Sequence, residues 1–141
     1  MKQGVSTLTA LSITLAMSVS AMATPAWIDL SGIYACVGRD EHLGPYQERE
    51  DIRLESMHHV GNSRGYRVKG SIDGNVVYTG EAIAIGKHFA LNFQSSSDKT
   101  DHGVTMGNIN FKGPIKFEGE YFESEYSGGN SGTVACTRTA D

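Results

Sequence analysis

The side chains best able to do chemistry in this chain are histidines and carboxylates, and they cluster in three places: Asp40-Glu41-His42, His58-His59 and Asp101-His102. A metal ion needs three or four such ligands converging with matched geometry. Asp40, His42, Asp101 and His102 are placed to share one rim of the fold derived below. His58-His59 falls at the opposite end, which disfavours a three-loop site, so the clusters read as solvated loop residues and no metal is expected. An acidic run follows at Glu118, Glu120, Glu123 and Glu125. Glu118 and Glu120 alternate with apolar neighbours and fall, with Lys116, on the outside of a strand. The plain reading is a solvated face; the alternative is a contact surface for a basic protein, because complementary charge steers encounter. The Gly-rich segment 126–132 lacks the Lys-Ser/Thr pair and following helix of a phosphate loop. It reads as a hairpin link, or with Tyr121, Phe122 and Tyr126 as an aromatic loop that inserts into a partner. Glu118, Glu120 and Tyr126 are therefore the candidate partner-binding residues.

Covalent and cofactor chemistry find little support. The two cysteines, Cys36 and Cys136, are expected to be joined, which leaves no thiol nucleophile. There is no H-E-x-x-H metalloprotease motif. Carboxylate pairs such as Glu118 and Glu120 are ordinary for a strand that is polar on one side. The chain is read as a non-enzyme without a cofactor. Its 12 Lys+Arg against 16 Asp+Glu, a formal net charge of -4, argues against nucleic-acid binding, which calls for a basic face.

The first residues carry an address. Lys2 is followed by an uncharged apolar and hydroxylic stretch from Val5 to Val19, and then by Ala21-Met22-Ala23, a small-x-small cleavage pattern. Residues 1–23 therefore read as a cleaved signal peptide, leaving 24–141 as a single domain that is periplasmic or secreted. The stretch is short for a membrane span of about 20 apolar residues and is diluted by Ser and Thr. No second apolar run exists, so no membrane span is expected in the mature chain. Two cysteines in an exported chain imply one disulfide.

These residues must be held by strands. The mature chain has no long segment of helical period and reads in period two, with turn signals between. Eight strands are expected: 30–37, 46–56, 65–72, 76–85, 87–94, 103–111, 115–122 and 133–138. Asp73-Gly74 and Gly86-Lys87 are tight-hairpin signals, and Pro114 stands at a tolerated strand start. Short links between successive strands favour an antiparallel meander. A Cys36–Cys136 disulfide needs Cα atoms within about 7 Å, so the first and last strands must be neighbours or face each other across a thin core. The expected fold is thus an all-β, eight-stranded antiparallel up-and-down barrel closed by one disulfide. A β-sandwich with an inter-sheet bridge is the alternative.

An eight-stranded barrel is filled by side chains or holds one small ligand. The inward set expected from alternation includes Tyr34, Tyr66, Phe89, Phe93, Phe117 and Tyr121, the candidate ligand-binding residues. The opening of the first strand, Leu30-Ser31-Gly32-Ile33-Tyr34, resembles the G-x-W start of the calycin barrels, the lipocalin and avidin-type families, with Tyr34 where those families usually carry Trp. Arg138 is placed like the last-strand Arg that packs across that ring. The resemblance implies a small apolar or ring-shaped ligand inside the barrel. The function expected is an exported, non-catalytic binding protein holding a small apolar or aromatic molecule at the barrel mouth. The alternatives are a protein-binding module, such as an inhibitor of a secreted hydrolase, and a structural envelope protein.

Overall fold

A computed structural model describes residues 28–55, 63–124 and 128–140. The expected signal peptide 1–23, together with His58, His59 and Tyr126, lies outside the described residues. The chain forms β1 (Gly32–Asp40), β2 (Gly44–Leu54), β3 (Ser63–Ile72), β4 (Asn75–Ile85), β5 (His88–Ser95), β6 (His102–Asn110), β7 (Lys116–Glu123) and β8 (Asn130–Ala140). Each strand pairs with its chain neighbours, and β8 returns to β1, closing the barrel. All pairings are antiparallel. Closure rules out the sandwich and leaves no free sheet edge. At the closing seam Cys36 stands directly opposite Cys136. The two form a disulfide with a Cα–Cα distance of 4.0 Å, and such a bond fits an oxidising, extracytoplasmic compartment.

Alternation explains which side chains fill the interior. Ile52, Val68, Leu91, Ile109, Phe117 and Val134 are buried inside the barrel, while the residues between them in sequence face outward. The Asp73-Gly74 turn adopts positive φ at both residues, 49° and 79°, the geometry that matches the twist of the strands it joins.

Two strands run furthest beyond what alternation of apolar residues indicated. β1 continues to Asp40 and β8 begins at Asn130. Along these extensions the inward positions are Gly38, Asp40, Asn130 and Gly132, none of which carries an apolar signal. The first link is therefore only the turn 41–43, and the Gly-rich segment enters the sheet at Asn130.

One end of the barrel is closed by the chain leading into β1. Leu30 is buried in the core. Its carbonyl accepts a hydrogen bond from the Tyr34 hydroxyl at 2.8 Å. Arg138 Nη1 donates to the carbonyls of Asp29 and Ser31 at 3.2 and 3.1 Å. Tyr34 and Arg138 pair across the β1–β8 seam. Burial pushes the Tyr34 hydroxyl up to about 12, with the Arg138 charge opposing.

Candidate functional site

The interior divides into two halves of different chemistry. Toward the closed end it is filled and mostly apolar, with Glu50 and Thr105 bordering both halves. Tyr34 is 0% exposed, and its ring centroid lies 5.2 Å from that of Phe117, which lies 5.0 Å from that of Phe89. The residual space among Tyr34, Tyr66, Phe89, Phe117 and their neighbours is about 30 Å³, about enough for one water molecule. Toward the other end, where the turns 41–43 and 73–74 and the link 96–101 lie, a cavity of about 320 Å³ opens to solvent. That sits at the lower end of the ~300–1,000 Å³ typical of small-molecule sites.

The same strand parity that buries Ile52 also points Glu50, Glu48 and Tyr46 inward, so polar residues line the open half. Three tyrosines are set there by glycines. Tyr46 stands directly opposite Gly38, Tyr78 opposite Gly70, and Tyr121 opposite Gly132. Each ring covers its glycine so closely that an added methyl group would overlap it. An aromatic side chain shielding a cross-strand glycine is a recurrent device of strongly curved sheets. With Phe93 the rings run in series: Tyr78 to Phe93 at 5.4 Å, Phe93 to Tyr121 at 6.3 Å, and Tyr121 to Tyr46 at 6.4 Å.

Carboxylates complete the wall. Five of the lining residues are acidic (Asp40, Glu48, Glu50, Asp101 and Glu123), and no Lys, Arg or His is among the described residues that line the cavity. Their surroundings differ. Asp40 Oδ1 accepts from the backbone N–H groups of His42 and Leu43, both at 2.8 Å, which shapes the β1–β2 turn. Its Oδ2 accepts from Tyr121 Oη at 2.6 Å and Asn130 Nδ2 at 2.7 Å. Burial would raise this carboxyl, but these donors prevail and hold it down to about 2. Asn130 Nδ2 also donates to Glu123 at 2.7 Å, and Asn130 Oδ1 lies 2.7 Å from His42 Nδ1. Burial pushes Glu123 upward, against the pull of that Asn130 hydrogen bond.

Glu48 and Glu50 are less well supplied. Both face the single hydroxyl of Tyr78, at 3.2 and 2.7 Å, and that group has one proton to give. Glu50 is 3% exposed. Burial pushes it up to about 8, and Glu48 up to about 7, with the Tyr78 hydrogen bond opposing in each case. Asp101 Oδ1 is buried with no hydrogen-bond partner among the described residues.

Of the candidate ligand-binding residues, Phe93 and Tyr121 line the open cavity, whereas Tyr34, Tyr66, Phe89 and Phe117 pack in the filled half. Glu118 and Glu120 are exposed on the outer side of β7. Asp40 and Asp101 share the open end, while His102 is exposed, its Nδ1 3.0 Å from the Thr100 carbonyl. Cys36, Glu50 and Cys136 come close enough together to suggest a metal site, but both sulfurs are consumed by the disulfide. Residues 61–65 spell G-x-S-x-G, which at a strand-to-helix turn would mark a nucleophilic serine. Here Ser63 instead opens the antiparallel strand β3.

The fold and site define a closed eight-stranded β-barrel with a filled apolar floor and an open acidic, aromatic mouth. No protein-family model matches the chain, and no curated protein matches it. Among solved structures it is similar to a redesigned β-barrel, with a TM-score of 0.55 and 16% sequence identity over 78% of this chain and 91% of that one. That likeness concerns the fold alone.

Proposed function

We propose that this protein is an exported, non-catalytic binding protein that holds one small molecule with an apolar or aromatic body in the open half of the barrel. The observation carrying this reading is the uneven filling of the interior. One half is packed to a 30 Å³ residue while the other keeps about 320 Å³ open to solvent. Packing for stability alone favours an interior without voids. Phe93, Val134 and the rings of Tyr78 and Tyr121 supply apolar surface along the cavity, and polar groups at the rim supply orientation. Native mass spectrometry of the protein purified from its own host tests the reading: a retained small ligand is expected, and a bare chain that also takes up no small ring compound in solution would overturn it.

A second reading is favoured by the outer face of β6 and β7. Phe122, Met106 and Val104 are 51%, 68% and 49% exposed. Val104 pairs with Phe122, and Met106 with Glu120. Apolar surface beside Glu118 and Glu120 suits a basic protein partner, such as a secreted hydrolase. Reversing both glutamates to Lys is expected to abolish capture of that partner; unchanged capture would count against this surface.

A further inference from the structure

We propose that the ligand carries a protonated amine, seated between Glu48 and Glu50, on the apolar or aromatic body already assigned to the cavity. This deepens the small-molecule reading above and rests on it.

The first support is a shortage of donors. Glu48 and Glu50 approach one Tyr78 hydroxyl, which can satisfy one of them fully. Glu50 is almost completely buried, and it shares the Tyr78 hydroxyl with Glu48. A buried carboxylate short of donors is costly, and a bound ammonium supplies up to three. Asp101 Oδ1, buried on the same cavity without a partner, is a further unmet acceptor.

The second support is the charge of the wall. Five acidic residues line the cavity, and no basic residue among the described ones balances them. Asp40 is held ionised, and a cation seated at Glu48 and Glu50 favours their charged forms over the protonated forms that burial otherwise favours, whereas an anionic ligand finds no cationic side chain among the described residues of this wall. The rings of Tyr78 and Phe93, tilted by 51° and lining the same cavity as the two glutamates, also attract a cation.

The third support concerns geometry and favours an organic cation over a bare metal ion. Among the described residues, no three carboxylate or imidazole atoms of this wall converge to within ligand distance of one another. Ile72, Val77, Phe93 and Val134 instead leave apolar surface beside the acids, which suits an organic body.

Calorimetric titration at about pH 8.5, above the range in which burial keeps Glu48 and Glu50 protonated, tests the proposal with three probes sharing one ring: 2-phenylethylamine, 2-phenylethanol and 3-phenylpropanoate. The amine is expected to bind about tenfold or more tighter than the alcohol, as a charge-assisted hydrogen bond implies, and the carboxylate to bind weakest. E50Q and E48Q are each expected to bring the amine close to the level of the alcohol. Should either variant fail to fold, the wild-type series still decides. Equal binding of amine and alcohol overturns the amine while leaving the small-molecule reading intact. Failure of all three probes to bind overturns both.

Discussion

Gly132 stands directly across the β7–β8 seam from Tyr121, and the phenol ring covers it. The absent side chain is what lets the ring lie against the wall, so that its hydroxyl reaches Asp40 at 2.6 Å. G132A places a methyl against both the ring and the Arg39 carbonyl. A loss of about 1–3 kcal/mol is expected, the usual cost of overpacking, read by urea denaturation. Stability equal to wild type would show that the ring has room to move.

Stability should fall as pH rises across neutrality. Glu48 and Glu50 hold their protons to about 7 and about 8 in the folded barrel, against 4.5 ordinarily. The folded state therefore binds more protons than the unfolded chain in this window, and stability declines from about pH 4.5 upward. Asp40 acts in the opposite sense. Held down to about 2 from 3.8, it stabilises the fold above its ordinary value, and that contribution is lost as pH falls toward 2. The melting temperature is expected to peak at about pH 4–5. E50Q should flatten the alkaline limb; an unchanged slope in E50Q would assign the effect to other groups.

The disulfide closes a loop with a sequence separation of 100 residues. Replacing both cysteines by Ser is expected to cost about 2–4 kcal/mol, measured by chemical denaturation. A double variant as stable as wild type would mean that strand pairing alone secures the seam.

At the closed end, Arg138 ties residues 29–31 to β8 through two backbone carbonyls. R138A is expected to lose about 1–2 kcal/mol, at roughly one per hydrogen bond, and to speed amide exchange at Leu30 and Ser31. Exchange there at the wild-type rate would show that the Leu30 N–H bond to the Tyr66 hydroxyl and the Tyr34 bond to the Leu30 carbonyl suffice.

At the open end, Val77 is half-buried on the wall of the cavity. V77W should occupy the entrance and weaken uptake of ring compounds about tenfold or more, with a stability change within about 1 kcal/mol because the added ring faces space rather than packed core. Undiminished uptake would place the ligand elsewhere.

Much of this architecture was legible in the residues. Ile52 and Leu54, Tyr66 and Val68, and Ile115 and Phe117 mark strands by simple alternation, and two cysteines in the outermost strands required them to meet. The open half was harder to read because its inward residues are not apolar. Asp40, Tyr46, Glu48, Glu50 and Asn130 look like surface residues when only hydrophobicity is counted. Parity would have found some of them: stepping back by twos from Ile52 reaches Glu50, Glu48 and Tyr46. The separation of filled from open halves was not legible, because it depends on the combined volume of side chains from all eight strands. Gly38, Gly70 and Gly132 take their meaning from a tyrosine on the neighbouring strand, and only the register supplies that pairing.

The meander also sets the order in which the chain can assemble. Pairings from β1–β2 through β7–β8 join consecutive segments and form by local zippering, which is fast because little chain must be gathered. The β1–β8 seam alone requires the two ends of the domain to find each other. Cys36 and Cys136 come into register only when that seam forms. Oxidation is therefore expected to follow closure of the barrel, acting as a latch on a finished wall, and the chain held under reducing conditions should already show the strand content of the oxidised protein.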